Sequence, residues 1–207
     1  MYDAVLQDPA FFRLLLRIDQ EFAAETRLAG CRYCAGALHV ADFPRKPRGC
    51  PAAVVQEYSR RFSFTCGRCE QRATSASVRF LGRRVYVAVV LMLVSPAQGS
   101  AARQLRAELN VPIRTLQRWR RWWTEDFLRT PFWQAVRSRF MPPLPNAQLP
   151  MSLLDRFDAP EPADRLAQVL RFISPLSVAH MIKQPEGRLW PARPPQRMPM
   201  APPHAPS

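Results

Sequence analysis

The sequence predicts a mainly α protein with a small β zinc ribbon, and three observations carry that expectation. Two Cys-x-x-Cys pairs, "CRYC" at 31–34 and "CGRC" at 66–69, flank a stretch that ends in the strand-like "RRFSFTC". Apolar residues recur at helical spacing on both sides of this region. Between them, "SPAQGSAARQLRAELNVPIRTLQRWRRWW" carries the punctuation of helix, turn and helix. With 47% hydrophobic residues and five Trp among 207, the chain can bury the core of one medium domain or two small ones.

The expected order is an N-terminal amphipathic helix within 1–29, the zinc ribbon over 30–80 and a helix-turn-helix domain over 81–140. A linker with short helices follows over 141–184, and then a disordered Pro-rich tail over 185–207. The first helix should run from about Asp8 to Arg27. Asp8 can cap it, Pro9 suits its first turn, and Phe11, Phe12, Leu15, Ile18 and Phe22 form its apolar stripe before Gly30 ends it. Such a helix packs on its own domain more often than on a partner.

In the ribbon, each pair sits on a tight turn that lets both sulfurs face one ion, and two such turns supply the four thiolates that a structural Zn²⁺ accepts. Cys31, Cys34, Cys66 and Cys69 are therefore the expected metal ligands. Gly67 and Ala35-Gly36 lie where small residues ease the turns. A redox dithiol would need a βαβ pattern beside one pair, and none is found. Cys50 and His39 are spare candidates, although a lone Cys beside Pro51 reads more simply as a small buried side chain. A closed four-sulfur shell leaves no position for water, so the metal is expected to do no chemistry.

The formal net charge is +14 with a pI near 11. It is unevenly spread: −2 over 1–29, +8 over 30–98, +6 over 99–140 and +2 over 141–207. A basic middle favours a polyanion, because neutralised phosphates release condensed counterions. A solvated basic face is the plainer alternative. The runs "PRKPRG" at 44–49, with Arg45, Lys46 and Arg48, and "SVRFLGRR" at 77–84 can follow a phosphate backbone or remain solvated loops.

In the helix-turn-helix region, Ser100 can cap a helix to about Leu109, Asn110 can make the turn, and Pro112 can start the second helix. Leu105, Leu109, Val111, Leu116 and Trp119 would lie between the two helices, and Val85 to Val94 would close the core as a preceding helix or a strand. The second helix then turns Arg114, Gln117, Arg118 and Arg121 outward, residue types that read guanine and adenine in the major groove. The neighbouring Trp122 and Trp123 read as core and flanking residues.

"CRYC…CGRC" followed by "VPIRTLQRWRRWW" resembles the zinc ribbon plus helix-turn-helix at the DNA-recognising ends of bacterial insertion-sequence transposases and of small mobile-element-associated proteins. The resemblance covers roughly residues 28 to 125. It implies double-stranded DNA as the partner, with a transposase or integrase as a possible protein partner, and a role in transcription or in targeting a mobile element. A transposase of that kind would continue into a catalytic domain with three spaced acidic residues, where this sequence instead turns Pro-rich.

Beyond 125 the acids crowd around one helix start, the three His show no metal spacing, and seven Gly form no phosphate loop, so no enzyme and no small-molecule substrate are expected. The longest apolar run, 85–94, is about half of the roughly 20 residues a membrane span needs, and an acidic N-terminus does not suit a signal peptide. A cytoplasmic protein, with no membrane contact and with thiols free for metal, is the expectation. RNA or ribosome binding and a protein-interaction scaffold remain the alternative functions. Further on, "PADRLAQVLRFISPLSVAHMIKQ" should give two short helices divided at Pro175, with Leu166, Val169, Leu170, Ile173 and Leu176 along an apolar stripe.

Overall fold

A computed structural model of the chain describes residues 2–47, 49–80 and 113–178. Helix α1 (Tyr2–Gln7) leads directly into α2 (Pro9–Ala29), whose ends are set by its sequence. Asp8 Oδ1 accepts the Ala10 N–H at 2.8 Å, and Pro9 fills the first helical position. At the other end Gly30 takes φ 72° and donates its N–H to Arg27 O, a conformation that costs glycine little. The buried side of α2 carries Phe11, Phe12, Leu15, Ile18 and Ala23, as its apolar spacing predicts, but also Asp19.

The cysteine region forms two small antiparallel sheets. Strands β1 (Leu38–Val40), β4 (Ser63–Cys66) and β5 (Arg72–Thr74) make the first in the order β1-β4-β5, with Leu38 opposite Cys66 and Ser63 opposite Thr74. The second pairs β2 (Phe43–Pro44) with β3 (Arg60–Arg61). Short 3₁₀ turns at Ala52–Val54 and Gln56–Tyr58 fill the connection between the two cysteine pairs. Most of that long insertion is thus ordered.

The helical remainder begins with α3 (Ile113–Arg121), which continues through a wider π turn at Trp122–Asp126 and a 3₁₀ turn at Phe127–Arg129. Thr130 then caps α4 (Pro131–Val136), its hydroxyl accepting the Trp133 N–H at 3.1 Å. Helix α5 (Met151–Leu154) and α6 (Pro162–Ile173) follow. The second short helix expected after Pro175 falls largely outside the described residues, and Pro175 itself is described. It sits at the start of a 3₁₀ turn, Ser174–Ser177, that prolongs α6, where its missing N–H is no loss. The predicted stripe Leu166, Val169, Leu170, Ile173 and Leu176 is buried throughout.

Two apolar clusters hold these elements. The larger joins Phe11, Phe12, Leu15 and Ile18 of α2 to Tyr58, Phe80, Trp123, Phe127, Trp133, Leu153 and Leu170. The smaller joins Ala23 to Cys31, Leu38, Phe64 and Cys66. Helix α2 contributes to both, so the cysteine module stands on the C-terminal half of the helix whose N-terminal half enters the main core.

Between the clusters lies a buried polar knot. Asp19 pairs with Arg79 at 2.8 Å and also accepts the Ser77 hydroxyl at 2.6 Å and the Val78 N–H at 2.7 Å. Arg79 donates further to Glu57 O and Arg60 O, and its guanidinium lies 5.0–5.1 Å from the Tyr58, Phe62 and Phe80 ring centres. Arg61 donates to the carbonyls of Phe80, Ser75 and Ser177, at 2.9, 3.1 and 3.0 Å. Burial lowers Arg61 to about 10. Arg79 belongs to the run "SVRFLGRR", and its complete burial takes it away from any phosphate backbone.

The first helix expected in the helix-turn-helix region, its turn and the 85–94 run lie outside the described residues. The same holds for the tail at 185–207. No helix among the described residues is long and apolar enough to cross a membrane.

Candidate functional site

Each cysteine pair occupies a turn closed by its own backbone. In the first, Cys34 N–H and Ala35 N–H both reach Cys31 O, at 3.3 and 2.7 Å, while Cys31 N–H reaches Gly36 O at 2.9 Å. In the second, Glu70 N–H reaches Cys66 O at 3.0 Å and Cys66 N–H reaches Gln71 O at 3.0 Å. The residue after the last cysteine has φ 56° in both turns, Ala35 in one and Glu70 in the other. Two Cys-x-x-Cys loops that differ at every position but the cysteines thus repeat one left-handed device.

The turns bring all four sulfurs within 4.8 Å of one another. Cys31 and Cys69 are 3.5 Å apart, as are Cys34 and Cys66. Zn–S bonds of about 2.3 Å in a tetrahedron imply sulfur separations of about 3.8 Å, so a small contraction or expansion of this cluster accommodates such an ion. Cys31 and Cys66 are buried, and Cys34 and Cys69 are half-buried. The four cysteines are positioned to hold a metal ion.

Backbone amides prepare the sulfurs for that charge. The amides of Cys69 and Arg68 lower the Cys66 thiol to about 6, and the Tyr33 amide leads those that lower Cys31. For Cys69 the Gln71 amide acts in the lowering direction, but burial and the three other sulfurs outweigh it and push the thiol up to about 12. Four thiolates cannot coexist uncompensated at this spacing, and a dication supplies the compensation.

Neither spare candidate joins the cluster. Cys50 is buried in the main apolar core, where burial pushes its thiol up to about 11. His39 is exposed on β1, and its ring lies against Gly67. Replacing Cys50 by Ser is expected to leave metal content unchanged, as elemental analysis would show.

Gly36 is confined by the site itself. A Cβ there would lie 3.0 Å from Cys66 Sγ, 3.1 Å from Arg68 Cβ and 3.2 Å from Cys34 Sγ. At Gly67 a Cβ would first meet the His39 imidazole, at 2.7 Å, and that exposed ring can turn away. Gly36→Ala is expected to cost about 1–3 kcal/mol of metal binding through overpacking, and Gly67→Ala less. A chelator-competition titration of both variants checks the order.

Arg114, Gln117, Arg118 and Arg121 fall at i, i+3, i+4 and i+7 along α3 and its end, which places them on one face, and all four are exposed. Arg121 differs from the others in having a partner, Glu125 Oε2 at 2.9 Å. Of the loop cations, Lys46 is exposed. Arg45 is half-buried, its N–H donating to Ser59 O at 2.6 Å and its guanidinium 5.7 Å from the Phe43 ring centre. Arg48 lies outside the described residues.

The sequence reading missed Arg32 and Arg72, which are exposed beside the cysteine module, as well as the buried group Asp19, Arg61 and Arg79. An acid lying on the apolar face of α2 was the available signal for the buried group.

No protein-family model matches the chain, and no curated protein or solved structure is significantly similar to it.

Proposed function

We propose that this is a DNA-binding protein whose cysteine module holds one structural Zn²⁺ and whose α3 helix reads duplex DNA. The observation that carries the proposal is the row of Arg114, Gln117 and Arg118, exposed on one helical face of a chain with net charge +14. Arg is suited to a bidentate contact with guanine and Gln to one with adenine. Because Arg121 is shared with Glu125, the other three are assigned the base edges and Arg121 a backbone contact.

The zinc assignment rests on the donor set, four thiols and no oxygen or nitrogen ligand, a combination that favours Zn²⁺ among common structural metals. The ion would be held by Cys31, Cys34, Cys66 and Cys69 and would supply cross-linking rather than catalysis. Its contribution to DNA binding is to fix β1, β4 and β5, and with them the Arg45–Lys46 segment beside β2. The role of a targeting protein for a mobile element, working with a transposase or integrase, belongs to the same reading through the sequence resemblance.

The test contrasts two kinds of arginine. Arg118→Ala is expected to cost about 1–3 kcal/mol on a preferred duplex and to change non-specific binding much less. Arg45→Ala should weaken all duplexes alike and reduce the salt slope by about one unit. Fluorescence anisotropy on selected sites at several salt concentrations measures both. Unchanged site preference in Arg118→Ala would remove α3 as the reading helix.

A further inference from the structure

Beside the cysteine module, a cleft of about 330 Å³ opens between the C-terminal end of α2 and strand β5. Its lining includes Arg32 and Arg72, the hydroxyl residues Thr26 and Thr74, and the small side chains of Ala29 and Ala73. No acidic residue is among the described residues that line it. Neither arginine makes an ion pair with any described residue.

Both guanidiniums are nevertheless held. Arg32 lies 4.7 Å from the Tyr33 ring centre and donates to its hydroxyl, and Arg72 lies 4.4 Å from the Phe43 ring centre. An arginine stacked on an aromatic ring loses less freedom when it meets a ligand, and its remaining donors point outward as a fork. Phe43 also underlies Arg45, so the cationic strip continues past the cleft from Arg72 to Arg45 and on to Lys46.

We infer that this cleft and strip bind single-stranded nucleic acid. The cleft is at the lower end of the roughly 300–1,000 Å³ range of small-molecule sites, enough for one nucleotide unit and too small for two paired strands. A free nucleotide would fill the cleft and leave Arg45 and Lys46 unused, whereas a strand continues along them. Phosphates belong on Arg32 and Arg72, because the carbonyl end of α2 at Ala29 disfavours an anion. The base then lies against Ala29 and Ala73, where the same carbonyl end favours its amino hydrogens. This site goes beyond duplex reading by α3 and does not depend on it.

The experiment is fluorescence anisotropy of labelled dT12 with the full chain, metal content confirmed for every variant. Arg32→Ala and Arg72→Ala should each weaken binding about tenfold, the scale of one lost charge-assisted contact. Each should also reduce the salt slope by about 0.7, the single-strand value per phosphate. Ala29→Phe removes no charge and fills the cleft, and it should weaken dT12 by a similar factor. Arg139→Ala, an exposed cation of the helical half, should stay within about twofold, because a distant charge alters only the diffuse field. Equal losses for Arg139→Ala and Arg72→Ala, no effect of Ala29→Phe, or no dT12 binding by the native chain would each overturn the assignment.

Discussion

Replacing Cys66 by Ser is expected to empty the metal centre and unfold the cysteine module while much of the helical core survives. Cys66 sits at the end of the central strand β4, opposite Leu38, and its N–H, carbonyl and sulfur close the second turn. The module's own apolar cluster is small, built around Ala23, Cys31, Leu38, Phe64 and Cys66. A structural zinc contributes on the order of 10 kcal/mol to such modules, comparable with the whole stability of about 5–15 kcal/mol of an ordinary domain. Without it, three short strands have too little buried surface to remain ordered.

Elemental analysis should find one Zn²⁺ per native chain and none in the Ser variant. Amide exchange should accelerate over β1, β4 and β5 more than over α2 and α6. Acid should act in the same direction, because protons compete with the metal for the four thiolates. A Ser variant that keeps its metal, or a metal-free chain with native amide protection, would show that these sulfurs are not the clamp.

The second large effect is expected at Asp19. Asp19→Ala would leave the Arg79 guanidinium, at 0% exposure, without its counter-charge, and would strip the Ser77 hydroxyl and Val78 N–H of their acceptor. Removing one partner of a buried pair costs about 3–5 kcal/mol, because the remaining charge stays in a medium that cannot solvate it. For a chain of this size that corresponds to a fall in Tm on the order of 10 °C. Replacing both members with apolar residues, Asp19→Leu with Arg79→Met, should recover much of the loss, since the orphaned charge is then absent. Urea titration of the single and double variants measures both quantities. A single variant losing less than about 1 kcal/mol would place the stability of this region in its apolar packing alone.

The position of Asp19 also explains why the two halves of the protein stay in one relation. Arg79 links it to the carbonyls of Glu57 and Arg60, and Arg61 links the strand pair to Ser177 in the 3₁₀ turn that follows α6. Ser177 in turn accepts the Ser77 N–H at 2.8 Å. Segments about 60 and 100 residues apart in the chain are thereby tied through charged and hydroxyl groups that water cannot reach.

What was legible in advance was local. The cap at Asp8, the first-turn Pro9 and the stop at Gly30 are decided within a few residues, so the boundaries of α2 followed from sequence. The same is true of the Leu166–Leu176 stripe, whose period alone selects a buried face. The two-residue gap within each cysteine pair dictates a turn, and two such turns in one small domain predicted a four-sulfur cluster.

Which arginines are free to meet a ligand was decided only by the tertiary structure. In the sequence, Arg61, Arg72 and Arg79 are three members of one basic region. Folding sends Arg61 and Arg79 inside and leaves Arg72 exposed on the edge strand β5. The distinction depends on a carboxylate from α2, on the Ser177 carbonyl in the turn after α6 and on the carbonyls of Glu57, Arg60, Ser75 and Phe80, partners that no local pattern encodes. A charge is buried only where the rest of the chain delivers those partners, whereas a helix cap or a cysteine turn needs nothing beyond its own neighbours.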